Sequence, residues 1–377
     1  MQFTISKADL LKELNLLQGV VEKKNTIPIL SNVLIETSTS SLISLVATDL
    51  DVSLQTEAAA DVTKFGAVVV QAKKLFDIVR NLPDADIHFS KEDNDWVKIN
   101  CGTSDFKIVG QAKEHFPATP QMESYSINMP AAALHNLISR TIFAITQEES
   151  RYALNGALFA YSGEQMQMVA TDGHRLALAA LANNPQSAEN PENPENAKTS
   201  VIIPKKALNE LLKLTTGFEE MIGFANDENH LYFQLGPRKM TTRKLSGQFP
   251  NYELVIPKTN DKTVPLNAAR ITQAIRQAAL MADERSRSVK FEFNDNRLSI
   301  TSQSADIGDA KVVIPVDYNG SSVTVGFNAQ YLLDFLNNVS AEEILFEFKD
   351  EQSPAMMKPA NDEGYDYKYV VMPMRLL

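Results

Sequence analysis

Apolar residues along this chain change their spacing in a fixed order, and the order is written three times. Phe3-Thr-Ile-Ser6 alternates as a strand does, and residues 8–21 then carry Leu10, Leu11, Leu14 and Leu17 at helical spacing. Tyr125-Ser-Ile-Asn128 before 131–145, and Thr263-Val-Pro-Leu266 before 268–281, repeat that pair. Later phrases recur as well. Val46-Ala-Thr-Asp49 returns as Val169-Ala-Thr-Asp172, and His115-Phe-Pro117 as Gln248-Phe-Pro250. Val68-Val-Val-Gln-Ala-Lys-Lys74 returns as Val201-Ile-Ile-Pro-Lys-Lys206, and more loosely as Val323-Thr-Val-Gly-Phe-Asn328.

Within the first third, 32–37, 42–48 and 52–58 read as strands, with a turn at Asp49-Leu-Asp51. The pattern then restarts. A strand at 67–71 leads into a helix at 73–81 with Leu75, Phe76, Ile78 and Val79 inward, stopped by Pro83-Asp84. Strands follow at 87–90, 96–101 and 105–109. Each third is therefore expected to be two βαβββ units of an α+β fold. The period far exceeds the roughly 20–50 residues of solenoid or propeller repeats. It predicts three tandem domains, 1–124, 125–261 and 262–377, joined by short polar linkers near 121–125 and 258–262. Residues 186–196 are a polar, Pro-rich insertion and are expected to be a surface loop without chemistry.

Composition narrows the function classes. The chain has 377 residues, 44% hydrophobic and 22% charged, enough apolar material for several cores. No apolar run approaches the ~18 residues of a membrane span. Lys7, Asp9, Lys12 and Glu13 interrupt the N-terminal region, so no signal-peptide core is expected and the cytoplasm is. A single cysteine, Cys101, excludes an internal disulfide and any cysteine-cluster metal site, and its strand context predicts burial. Neither cofactor nor metal is expected, since the histidines show no HxH or HExxH spacing and no glycine-rich phosphate loop is present.

A net charge of −11 argues against a nucleic-acid binder, unless the cations are gathered in one place. They are gathered on the predicted helices, opposite the leucines: Lys7 and Lys12, Lys73, Lys74 and Arg80, Arg140, Lys205, Lys206 and Lys213, Arg270 and Arg276. Asp9, Glu13, Asp77, Glu210 and Asp334 interrupt them. Any one such residue is a solvated face. Recurrence from helix to helix makes a shared basic surface the better reading.

Thr171-Asp-Gly-His-Arg175 invites a catalytic reading of Asp172 and His174. No serine or cysteine sits in a nucleophile context. Asp49 repeats Asp172 where no histidine follows, so turn chemistry, with the carboxylate capping nearby N–H groups, is the better account. The apolar C-terminal run is expected to form an edge strand at 369–372. Met372, Pro373 and Met374 then lie where a domain's own core is hard to complete, and methionine suits varied apolar partners.

Over its whole length the chain resembles the bacterial sliding clamps, the β subunits of DNA polymerase III. The specific marks are Thr26-Ile-Pro-Ile-Leu-Ser-Asn32, Arg151-Tyr-Ala-Leu-Asn-Gly156, Val169-Ala-Thr-Asp-Gly-His-Arg-Leu176, Gly247-Gln-Phe-Pro-Asn-Tyr252 and Val370-Val-Met-Pro-Met-Arg-Leu376. The resemblance implies a head-to-tail homodimeric ring around duplex DNA, helices lining the pore and sheets outside. Such a ring tethers the polymerase and catalyses nothing. It implies DNA contacts at Lys24, Lys73, Lys74, Arg80, Arg151, Tyr152, Lys205 and Lys206. It implies a cleft for partner peptides of the polymerase α subunit, the clamp-loader δ subunit and other proteins. From the second domain the cleft takes Leu154, Thr171, Gly173, His174, Arg175, Leu176, Pro250 and Val255, with His174 and Arg175 orienting the peptide. From the tail it takes Val370, Met372, Pro373 and Met374. At the subunit interface Phe106 and Ile108 would meet the partner's Leu280 and Met281. Two rivals remain at this stage: an enzyme built on Asp172 and His174, and a scaffold that does not touch DNA.

Overall fold

Six repetitions of strand, helix and three strands carry the architecture, with short strands added in the first third. The structure, a computed structural model, describes all residues except 22–26, 147, 149, 163–164, 183–198, 362–363 and 376–377. Lys24 and the 186–196 insertion lie outside the described residues. The first third runs β1 (Gln2–Ser6), α1 (Lys7–Leu17), β2 (Asn32–Thr37), β3 (Leu42–Thr48), β4 (Val52–Ala59), β5 (Asp61–Lys64), β6 (Ala67–Gln71), α2 (Ala72–Asn81), β7 (Asp86–Lys91), β8 (Val97–Cys101), β9 (Ser104–Ile108) and β10 (Gly110–Gln111). The second runs β11 (Ile127–Pro130), α3 (Ala131–Ser139), β12 (Gly156–Tyr161), β13 (Gln165–Thr171), β14 (Arg175–Ala182), β15 (Thr199–Pro204), α4 (Lys205–Thr215), β16 (Met221–Asn226), β17 (His230–Leu235) and β18 (Arg238–Arg243). The third runs β19 (Lys262–Asn267), α5 (Ala268–Ala279), β20 (Ser288–Asn294), β21 (Arg297–Ser304), β22 (Gly308–Pro315), β23 (Val323–Asn328), α6 (Ala329–Leu336), β24 (Glu343–Phe348), β25 (Ala355–Pro359) and β26 (Tyr365–Val371).

The two halves of each third exchange their leading strands. β1 pairs with the β7-β8-β9 meander, and β6 with β2-β3-β4. β11 joins β16-β17-β18 while β15 joins β12-β13-β14, and β19 and β23 are exchanged the same way. A half-repeat therefore cannot complete a sheet alone. Sheets also continue from third to third. β4 pairs antiparallel with β18, Ser53 opposite Thr241, and β14 pairs with β26, Leu176 opposite Val370. By packing, the chain forms two compact units, Met1–His135 with Lys206–Lys244 and Asn136–Lys205 with Leu245–Leu377, so the central third is shared between them.

The helices follow their apolar stripes. Leu75, Ile78 and Val79 of α2 and Ile271, Ala274, Ile275 and Ala278 of α5 are buried. α1 opens on Ser6, whose hydroxyl accepts the Asp9 N–H at 3.1 Å. It buries Glu13 on its apolar side, against Arg238 at 2.6 and 3.0 Å and the Thr56 hydroxyl at 2.5 Å. α3 ends at Ser139, earlier than the 131–145 spacing predicts. The Thr141 hydroxyl takes the Leu137 carbonyl at 2.8 Å, and a 3₁₀ turn follows at Ile142–Ala144. Cys101 is fully buried in β8.

One expectation fails. The C-terminal strand is not an edge: β26 lies between β14 and β25, with Tyr367, Tyr369, Val370 and Val371 all buried. An apolar run without alternation marks a strand covered on both faces, which an edge strand is not.

Candidate functional site

The repeated Thr-Asp phrase is one turn built twice. In the first third, the Asp49 carboxylate accepts the N–H groups of Asp51 at 2.9 Å and Val52 at 2.6 Å. The Thr48 hydroxyl donates to the Val52 carbonyl at 3.2 Å and accepts the Leu50 N–H at 3.0 Å. In the second third, Asp172 accepts His174 N–H at 2.9 Å and Arg175 N–H at 3.1 Å. Thr171 likewise donates to the Arg175 carbonyl at 2.6 Å and accepts the Gly173 N–H at 3.1 Å. Both turns need a left-handed residue, at Leu50 (φ 79°) and Gly173 (φ 88°). The second carboxylate oxygen of Asp172 accepts Arg175 Nε at 3.1 Å, so this carboxylate is occupied on both sides as a cap.

Around the second turn a cavity of about 120 Å³ opens. Of the residues expected there, all but His174, Pro373 and Met374 line it. Beneath lies an apolar cluster containing Val169, Leu178, Ile202, Phe249 and Met356. The tail is fastened beside it: Met372 N–H donates to the His174 carbonyl at 2.9 Å, and Met374 N–H to the Gly326 carbonyl at 2.8 Å. Met372 and Val255 remain 38% and 41% exposed, so apolar surface faces solvent at the mouth.

Arg175 is already engaged within the protein. Its guanidinium donates to Asp172 at 3.1 Å, to Asp334 of α6 at 2.5 Å and to the Phe143 carbonyl at 2.7 Å, and lies 4.3 Å over the Tyr331 ring. Burial opposes its charge, but Tyr369, Asp334 and Asp172 outweigh that and raise its pKa. With these donors engaged inside the protein, Arg175 is a strut between the turn and α6, at the wall of the cavity. The His174 ring stacks on Tyr331 at 6.4 Å. Tyr252, which no spacing singled out, also lines the cavity, its hydroxyl accepting Gln167 at 2.8 Å. It sits two residues past the Phe249-Pro250 phrase, the one available signal.

Known proteins identify this assembly of turns and sheets. Family models for the DNA polymerase III beta subunit match in succession: the N-terminal domain at residues 1–120, the central domain at 128–251 and the C-terminal domain at 253–375. The chain belongs to the bacterial sliding clamps, the β subunits of DNA polymerase III. It is 35% identical to the beta sliding clamp of Pseudomonas putida over 381 residues and 36% identical to that of Caulobacter vibrioides over 384, covering 100% of each chain. A crystal structure of the Pseudomonas aeruginosa DnaN clamp bound to griselimycin superposes with a TM-score of 0.91 at 34% identity, again over 100% of both chains. The three-domain clamp fold and clamp function follow. Clamps are processivity factors with no reaction of their own, which removes the enzyme reading of Asp172 and His174.

The clamp's expected DNA residues are placed unevenly. Lys73 and Lys74 are exposed on α2, and Arg80 at its end meets Asp77 at 3.4 Å and lies 5.4 Å over Phe76. Arg151 meets Glu148 and the Asp172 carbonyl, both at 3.0 Å, and Tyr152 is 74% exposed. Lys206 is bound to Asp49, and Lys205 donates to the Ile145 carbonyl at 3.3 Å. The expected interface residues lie at exposed places. Phe106 is 39% exposed on β9, the terminal strand of its sheet, and Leu280 is 74% exposed just past α5. Sequence reasoning missed β22, another terminal strand, whose Val313 is half exposed.

Proposed function

We propose that two copies of this chain pair head to tail into a ring that encircles duplex DNA. The supporting observation is the pair of terminal strands with apolar side chains in solvent, β9 with exposed Phe106 and half-buried Ile108, and β22 with exposed Val313, together with exposed Leu280 and half-buried Met281. Unpaired edges of this kind are aggregation-prone unless a partner covers them, and closing a ring covers them. The three domains would be bounded near 124 and 261, with the helices towards the DNA.

The cavity beside Thr171, Leu176 and Val370 would take one apolar anchor of an extended segment from a partner such as the polymerase α subunit or the clamp-loader δ subunit. A Caulobacter crescentus clamp structure has PEG bound at the region proposed to tether the beta-motif. Replication places the protein in the cytoplasm, and no described helix is long and apolar enough to cross a membrane. Negative-stain images of the purified protein should show closed rings with a central hole. Globules without a hole would overturn the ring.

A further inference from the structure

Asp334 is the only charged residue of α6, an acid on an element whose counterparts α2, α4 and α5 carry lysines and arginines. Both of its carboxylate oxygens are occupied. Oδ2 accepts Arg175 Nη1 at 2.5 Å, from the turn of the second third. Oδ1 accepts the side-chain amide of Gln330 at 2.7 Å, one helical turn back, and this second bond fixes the plane of the carboxylate.

Arg175 is the only charged residue among the described ones lining the cavity of about 120 Å³, and its side chain is only 8% exposed. Its Nε goes to Asp172 of its own turn, so that bond moves with the turn. The far end of the guanidinium needs holders from outside. These are the Asp334 carboxylate and the Phe143 carbonyl, with the Tyr331 and Phe143 rings 4.3 and 5.7 Å away. Asp334 is the one carboxylate bonded at that end among the described residues. Lys205 belongs to the same charge group: burial and then Arg175 lower its pKa, against the opposing pull of Asp172 and Asp334. Two cations are thus balanced by two carboxylates, and loss of either carboxylate leaves a poorly solvated excess of positive charge.

We propose that Asp334 is a positioning residue for partner docking: by holding the Arg175 guanidinium against α6, it keeps the cavity beside Leu154, Leu176 and Val370 open for an apolar anchor of a partner segment. Without Asp334 the guanidinium has buried donors and no acceptor for them, which is costly. It then turns toward solvent, and the cavity mouth, where Met372 and Val255 are exposed, lies open to it. A guanidinium there takes up room in a small space and brings polar donors to the place where an apolar group is to be buried. Docking on the turn of the second third therefore depends on an acid from the last third that does not itself line the cavity. The proposal rests on the cavity being the partner site, and its test separates the two.

Affinity of the full chain for a fluorescent clamp-binding peptide would be measured by anisotropy, beside the unfolding midpoint of each variant. Asp334→Asn keeps the shape and removes the charge, and should weaken the peptide about tenfold. Asp334→Glu keeps the charge and should bind within about threefold of wild type. Gln330 is exposed, so Gln330→Ala disturbs nothing buried; by freeing the carboxylate it should weaken the peptide about threefold with an unchanged midpoint. A crystal structure of Asp334→Asn should show the guanidinium moved off the Tyr331 ring and into the cavity. Wild-type affinity in both Asp334→Asn and Gln330→Ala would overturn the proposal. So would equal losses in Asp334→Asn and Asp334→Glu, or a guanidinium that stays over Tyr331 while binding is weakened. A wild type that does not bind the peptide would instead refute the cavity as the partner site.

Discussion

At the scale of single residues, backbone chemistry explains what resembles an active site. Asp172 caps two N–H groups and holds Arg175 Nε, each a hydrogen bond to a charged group worth about 1.5–3 kcal/mol. Asp172→Ala should therefore lower unfolding stability by about 2 kcal/mol or more and weaken partner-peptide binding, with no turnover to lose. Calorimetry and a peptide titration would check both. The twin turn carries a strained residue: Leu50 stands at φ 79°, where the second turn has Gly173. Left-handed geometry costs a non-glycine residue about 1–2 kcal/mol, against about 0.5–1 for the freedom glycine loses on folding. Leu50→Gly should be neutral to stabilising by up to about 1 kcal/mol. A clear drop in the unfolding midpoint would show that the exposed Leu50 side chain makes contacts that outweigh its strain. Arg238→Ala strands the buried Glu13 carboxylate and should cost about 3–5 kcal/mol, whereas replacing both partners by apolar residues should cost much less.

At the scale of elements, repetition made most of the fold legible. Most strand and helix positions in the first third follow from spacing, as do the turn at Asp49 and the buried Cys101, but α1 stops at Leu17, short of the 8–21 spacing, and the short β5 and β10 carry no such signal. What spacing cannot give is the neighbour of a strand. The exchange of β1 and β6 between half-repeats, and the central place of β26, depend on pairings far apart in the chain. The lining of the cavity was legible in sequence, but the bonds its residues make inside the protein were not. Leu154, Leu176 and Val370 line the cavity, while Arg175 is engaged by Asp334 and Phe143, partners 159 and 32 residues away that no local pattern names. Lys206 and Lys73 likewise occupy matching places in the repeat, yet only Lys206 finds an acid, because Asp49 lies within reach of it. At the mouth of the cavity, Val255→Asp would bury an unpaired carboxylate under an arriving apolar anchor. It should weaken a clamp-binding peptide at least about tenfold without moving the unfolding midpoint, since Val255 is already 41% exposed.

At the scale of the whole molecule, sheets continue from third to third through paired strands, β4 with β18 and β14 with β26. At the proposed contact between chains, Phe106→Asp should raise the dimer dissociation constant by about thirtyfold or more, as loss of an apolar anchor worth about 2 kcal/mol requires, read by sedimentation. The central claim is topological: the protein holds DNA because it surrounds it. The deciding measurement is release of the loaded protein from circular and from linearised DNA of one sequence at high salt. Screening removes direct phosphate affinity equally from both. The ring predicts long retention on the circle and rapid loss through the ends of the linear form. Equally fast release from both would contradict it.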